Sequence, residues 1–288
     1  MQDQANPIVD KAVDKAKEEV AIARRPIYHL GRIGRILLII YTVQLALFAI
    51  LAGWVYVNPI TAIDVAITHE FQENLAPWLQ TLMSVVSYPG NSFLLPALVV
   101  LTAGAFWIVG LRLEGLVTLI LSGVSLLLNG ALKIIVHRPR PTASLVDVLQ
   151  QAAGNSFPSG HVMAYLAFWG LLFSFCIILF QGWRWWRVAL MLISAFFVIL
   201  VGPSRIYLGA HWASDVLGSY LIGGVLLGVT LWIYLRLKER GVLQTEHARR
   251  RIEKYSTLRS FSQRPMVAQD GNTPLSDYTE KPFSERVE

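Results

Sequence analysis

Three short clusters in this 288-residue chain hold the residue types and spacings that could do chemistry: "LKIIVHRPRP" with Lys133 and Arg140, "PSGH" from Pro158 to His161, and "SRIYLGAHWASD" with Arg205, His211 and Asp215. Lysine is a point charge and arginine a fork of donors, so Lys133, Arg140 and Arg205 together suit a doubly charged, oxygen-rich anion such as a phosphoryl group. A helix beginning at Ser159 would aim free N–H groups and its positive dipole end at that anion. Gly160 would let the backbone approach closely. His211 and Asp215 are four residues apart, a spacing that predicts one shared helix face. A carboxylate behind an imidazole fixes its tautomer and makes it a better nucleophile. His161 has no such partner nearby in sequence and is the better proton donor to a leaving oxygen. No Cys, His or Asp spacing suggests a metal site and no Walker-type phosphate loop is present, so no cofactor is expected.

Taken singly, these residues have plainer roles. Lys133, Arg140 and Arg205 could be interfacial anchors that snorkel to headgroups. Pro158 and Ser159 suit the start of a helix. His211 and Asp215 could form only a surface hydrogen bond. Taken together the plain roles weaken, because ionisable side chains near membrane depth are costly and tend to be functional.

The elements that must bring the clusters together are membrane helices. The chain is 54% hydrophobic and 15% charged, where soluble domains carry about a quarter charged residues. The first long apolar run, "ILLIIYTVQLALFAILAGWVYV", is too long and too late for a cleaved signal peptide and reads as a retained span. Further spans are predicted at 92–111, 114–136, 161–181, 185–202 and 212–235. The fold class is therefore all-α, a polytopic membrane protein of six transmembrane helices. Residues 62–88 mix apolar and polar positions and predict one or two interfacial helices on the outer side. The chain divides into a cytoplasmic segment 1–33, a membrane domain 34–236 and a basic, partly disordered cytoplasmic tail 237–288. Cys176, the single cysteine, lies in an apolar run and cannot form an intrachain disulfide.

Loop charges give the orientation. Residues 58–92 hold no Lys or Arg, whereas the tail from Arg236 to Arg264 holds nine. Arg112, Arg184 and Arg187 lie in the 2–3 and 4–5 turns. Six spans with both termini inside satisfy this pattern and place all three clusters on the outer side. The arginines in the outer loops break the rule and invite a functional explanation. The net charge of +6 crowds at helix ends, where anionic lipids attract it, so membrane lipids and not nucleic acid are the expected partners.

The three clusters resemble the signature of the type 2 phosphatidic acid phosphatase superfamily: Lys, six residues, Arg-Pro; then Pro-Ser-Gly-His; then Ser-Arg, five residues, His, three residues, Asp. Every defining position is filled, and the resemblance extends over roughly residues 60–235. It implies a metal-independent phosphatase that works through a phosphohistidine. His211 would be the nucleophile, Asp215 its orienting partner and His161 the general acid and later base. Lys133, Arg140, Ser159, Gly160 and Arg205 would hold the phosphoryl oxygens. It implies six spans in the plasma or inner membrane and an outer-face substrate: phosphatidic acid, diacylglycerol pyrophosphate, phosphatidylglycerol phosphate or undecaprenyl pyrophosphate. A non-hydrolytic lipid-binding or transport protein is the alternative from another class. A vanadium-dependent haloperoxidase-like enzyme has a similar site, but those proteins are soluble.

Overall fold

The computed structural model describes residues 30–91, 93–180 and 183–243, and these residues form helices joined by turns and irregular connections, the longest of them 137–159, with no strand among the described residues. The expected tail beyond residue 243 and most of the expected N-terminal segment lie outside them. The helices are α1 (Leu30–Val57), α2 (Ala62–Gln72), α3 (Pro77–Asn91), α4 (Leu94–Ile108), α5 (Arg112–Val136), α6 (Gly160–Leu179), α7 (Trp185–Tyr207) and α8 (Ala213–Glu239). Helices satisfy every backbone group within the segment, which hydrocarbon demands. In α1, α5, α6, α7 and α8 there are five helices long and apolar enough to cross a membrane. The predicted second span is different. Helix α4 has 15 residues, about 22 Å at 1.5 Å per residue, short of the roughly 30 Å of hydrocarbon. It meets α3 at 62°, and only if the bent pair is taken as one span are there six.

Helix α6 is the hub. It packs against α5, α7 and α8 and is the most enclosed of the spans. Val162, Tyr165, Phe168 and Trp169 join Val201, Ile206 and Val216 in one apolar cluster. A π turn at Leu166–Gly170 interrupts its α geometry. Helix α8 carries glycines where its neighbours come closest: a Cβ at Gly218 would run into the Phe157 ring, at Gly223 into Leu166 and at Gly228 into Tyr41. Small residues are the general means by which membrane helices approach closely. By contrast Ile36, Leu38, Ile50 and Trp54 on α1 are exposed, as side chains facing lipid would be.

Helix α2 is built the other way round from a water-facing amphipathic helix. Its buried residues are Asp64, Thr68 and Gln72, at a spacing of four, so they form one stripe. Ile63, Ile67 and Phe71 are exposed. The buried stripe is fully bonded: Gln72 Nε2 donates to the carbonyls of Asp147 (2.6 Å) and Tyr207 (2.9 Å), and Gln72 Oε1 accepts from Asp147 N. The segment predicted as one or two interfacial helices is thus two, and both reach into the polar end of the bundle.

That polar end is formed by the C-termini of α3, α5 and α7 and the N-termini of α2, α6 and α8, with the 137–159 connection beside them. At the opposite end the start of α5 is tied to the end of α8. Lys238 Nζ pairs with Glu114 Oε1 at 3.0 Å, Tyr234 OH donates to the same oxygen at 2.8 Å, and all three side chains are buried.

Candidate active site

The three sequence clusters meet at the polar end, although His211 and Asp215 do not meet in the way their spacing predicts. Helix α5 stops at Val136, and His137 caps it in the left-handed conformation (φ 49°). The helix therefore ends three residues before Pro139, and Arg140 lies on the following loop. The third cluster is divided between two helices. Ser204 and Arg205 belong to the last turns of α7, which continues through Pro203. The chain then turns at Gly209 (φ +63°), where a Cβ would collide with the carbonyl of Asp147. His211 precedes α8, so it and Asp215 do not share a helix face. They meet because Asp215, in the first turn, folds back to accept Trp212 N–H (2.9 Å), and its Oδ2 then lies 3.4 Å from His211 Nδ1.

The tautomer of His211 follows from its neighbours. Arg140 Nη1 sits 3.2 Å from His211 Nε2, and a guanidinium can only donate. Nε2 therefore presents its lone pair toward the arginine, and the proton of the neutral ring is on Nδ1, facing Asp215. Ser156 Oγ donates to Asp215 Oδ2 and lies 3.4 Å from the same Nδ1. Burial pushes the His211 imidazole down to about 4 against the upward pull of Asp215, so at neutral pH the ring carries an available lone pair.

The three cations are held by neutral oxygens. Lys133 Nζ donates to the carbonyl of Asn155. Arg140 donates from Nε to Gly154 O (2.9 Å) and from Nη1 to Ala210 O (2.7 Å). Arg205, buried in α7, donates from Nη1 to Ser87 Oγ and to Gln150 Oε1 (2.6 Å). Among the described residues none of the three pairs with a carboxylate. Lys133, Arg140, Arg205 and His211 all lie within electrostatic reach of His161.

Ser159 is the N-cap of α6, yet its hydroxyl makes no capping bond. Ser159 Oγ, His161 Nε2 and Arg205 Nε are buried without a hydrogen-bond partner, a condition that usually marks a ligand or strain. An anion with several acceptor oxygens supplies what the Ser159 and Arg205 donors lack. Gly160 packs against Asn129, whose Nδ2 donates to Pro158 O at 3.1 Å. His161 lies against Gly90, at the end of α3, where any Cβ would collide with its ring. Gly90, Ser87 and Gln150 were not foreseen as neighbours of the site, and nothing in their local sequence announces it.

Arg138 is the largest omission from the sequence reading. It is fully buried. It donates from Nη1 to Asp215 Oδ1 (2.6 Å) and Ser214 Oγ (2.6 Å), from Nη2 to Asp64 Oδ2 (2.6 Å), and from Nε to Pro59 O (2.8 Å). Its signal was the excess of arginine in loops that should be poor in it. Among the described residues no group of His, Cys, Asp or Glu side chains could hold a metal ion.

Comparison with known proteins points to one family. The family model of the PAP2 superfamily matches residues 114–239. Phosphatidylglycerophosphatase B of Bacillus subtilis is 33% identical over 177 residues, covering 61% of this chain and 85% of that protein. "Putative undecaprenyl-diphosphatase YbjG" of Escherichia coli is 28% identical over 164 residues, covering 54% and 75%. The crystal structure of a transmembrane PAP2-type phosphatidylglycerolphosphate phosphatase from Bacillus subtilis superposes with a TM-score of 0.58 at 28% identity, covering 67% of this chain and 94% of that one. With the three-part signature gathered at one end of a membrane-helix bundle, the chain belongs to the PAP2 superfamily and is an integral membrane protein of a lipid phosphatase family.

Proposed function

We propose that this protein hydrolyses a lipid phosphate through a phosphohistidine on His211. The observation that carries the reading is the His211 lone pair, which faces a cluster of cations held only by neutral oxygens while Asp215 holds the opposite ring nitrogen. Lys133, Arg140, Arg205 and the Ser159 hydroxyl grip the non-bridging oxygens, with the Gly160 backbone at the start of α6. Nε2 attacks phosphorus and the bond to the leaving oxygen breaks, with His161 giving that oxygen its proton. His161 then takes a proton from water as the water attacks the phosphoryl group. The P–N bond breaks, and inorganic phosphate and neutral His211 result.

The relatives' names favour phosphatidylglycerol phosphate as the substrate, with an undecaprenyl diphosphate as the second reading. The purified chain in detergent should release phosphate from a panel of both of these, phosphatidic acid and diacylglycerol pyrophosphate, fastest from phosphatidylglycerol phosphate. Binding of these lipids with no phosphate released from any would leave the carrier reading in place of the enzyme.

The loop charges support a site on the outer face and cytoplasmic termini. Ala143 and Trp183 are exposed on the two kinds of loop. In a Cys176→Ala background, Ala143→Cys should react with an impermeant thiol reagent in sealed cells and Trp183→Cys only after lysis. The reverse pattern would invert the orientation.

A further inference from the structure

Arg138 has one positive charge and two carboxylate partners. Asp215 takes Nη1, Asp64 takes Nη2, and the three side chains are 0%, 0% and 4% exposed. Burying an ion is costly unless it is paired, and one carboxylate would suffice to pair this one. The second has a consequence for His211. With Arg138 paired to Asp215 alone, the two charges would cancel and leave little at Oδ2 for the imidazole. With Asp64 drawing on the same guanidinium, the trio keeps a net negative charge, and Asp215 Oδ2, which also accepts from Ser156 Oγ and Trp212 N–H, is the oxygen turned toward His211 Nδ1.

Asp64 is held for this task. Its Oδ2 accepts from Thr61 Oγ1 (2.8 Å) and Ser214 Oγ (2.7 Å), and its Oδ1 from Ser214 N and Oγ, each at 2.9 Å. Asp64 N–H in turn bonds to Thr61 Oγ1, capping α2. Ser214, beside Asp215 in the first turn of α8, also accepts from Arg138. All four side-chain groups are therefore fixed to one another. Asp64 lies on α2, before the residues 114–239 that the family model matches.

We infer that Asp64 is a positioning residue for the reaction: through Arg138 it leaves the charge of Asp215 available to the cationic imidazole that forms when His211 attacks phosphorus. The inference rests on the reading of His211 as nucleophile. It assigns Asp64 to the chemical step and not to the grip on substrate, since Lys133, Arg140 and Arg205 are separate from it.

The test uses the full chain in detergent with 32P-labelled phosphatidic acid, and inorganic phosphate as a competing ligand. Asp64→Asn keeps the shape and removes the charge. It should lower kcat about 10- to 100-fold, taking the scale on which loss of the carboxylate behind a metal-bound histidine acts, and leave KM and phosphate inhibition within about threefold of wild type. Asp64→Glu and Asp64→Gln share a displaced geometry and differ in charge, so the Glu variant should be at least about tenfold faster than the Gln variant. Wild-type kcat in Asp64→Asn would overturn the inference, as would equal rates in the Glu and Gln variants. Failure of all three variants to fold would also overturn it, making Asp64 a folding residue. Failure of the wild-type chain to label or to release phosphate would instead strike at the phosphohistidine reading, so the two outcomes are distinct.

Discussion

His211→Ala is expected to form no phosphoenzyme and to lose turnover by roughly 10^5-fold or more, the scale on which enzymes lose activity when a covalent nucleophile is removed. The size of the effect follows from the site. Nε2 lies against Arg140 with its lone pair directed at that guanidinium, and Nδ1 is backed by Asp215, so the ring is held with its lone pair on the side of the cations. His161→Ala behaves differently. Its ring touches Gly90 and its Nε2 has no partner, which suits a group that exchanges a proton with a leaving oxygen and then with water. With a good leaving group the His161→Ala variant should still take up label and then lose it slowly. Rapid-quench labelling from a 32P substrate, with acid-labile and base-stable label as the mark of phosphohistidine, separates the two. Label that accumulates in His211→Ala and never in His161→Ala reverses the assignment.

Arg205→Lys is expected to lower kcat about 30- to 1000-fold, equivalent to roughly 2–4 kcal/mol of lost transition-state stabilisation. In the structure Arg205 spends Nη1 on Ser87 and Gln150, and its buried Nε has no partner. The neutral partners hold the guanidinium plane without cancelling its charge, and the remaining N–H groups form a fork for phosphoryl oxygens. A lysine ammonium keeps the charge but has no fork. It would satisfy either the protein partners or the substrate. Turnover near wild type in a properly folded Arg205→Lys protein would reduce Arg205 to a strut between α7 and the 137–159 connection.

Much of this was legible in the sequence for simple physical reasons. Apolar runs of span length have one stable solution in hydrocarbon, so α1, α5, α6, α7 and α8 were readable from hydropathy. The signature residues stand out because charges are rare in such a chain. The local geometry was less legible. His211 and Asp215 were expected to meet by helical spacing and instead meet across a helix start. Spacing alone cannot distinguish the two, since an N-terminal Asp folding back onto the chain spans the same four residues. The second span, predicted at 92–111, is the 15-residue α4 set at 62° to α3, an angle that hydropathy does not register. Asp64 lies in the stretch 58–92, whose lack of Lys and Arg marks it as outer but singles out no residue in it. Asp64 points inward because its partner, Arg138, is 74 residues away in sequence. Local patterning shows that α2 has a polar stripe but not which side of it faces the protein.

The Glu114–Tyr234–Lys238 tie sits at the far end of the two helices that carry Lys133 and Asp215. Helix α5 has 25 residues and α8 has 27, so each is a lever about 37–40 Å long with its fulcrum at the tie. One degree of tilt about that fulcrum would carry the other end about 0.7 Å, and a displacement near 1 Å at reacting groups can cost about a hundredfold in rate. The crossing of α5 and α8 must therefore be held to within a degree or two. A substitution at Glu114 could then register as a catalytic defect from the opposite end of the bundle, with every residue of the site still in place.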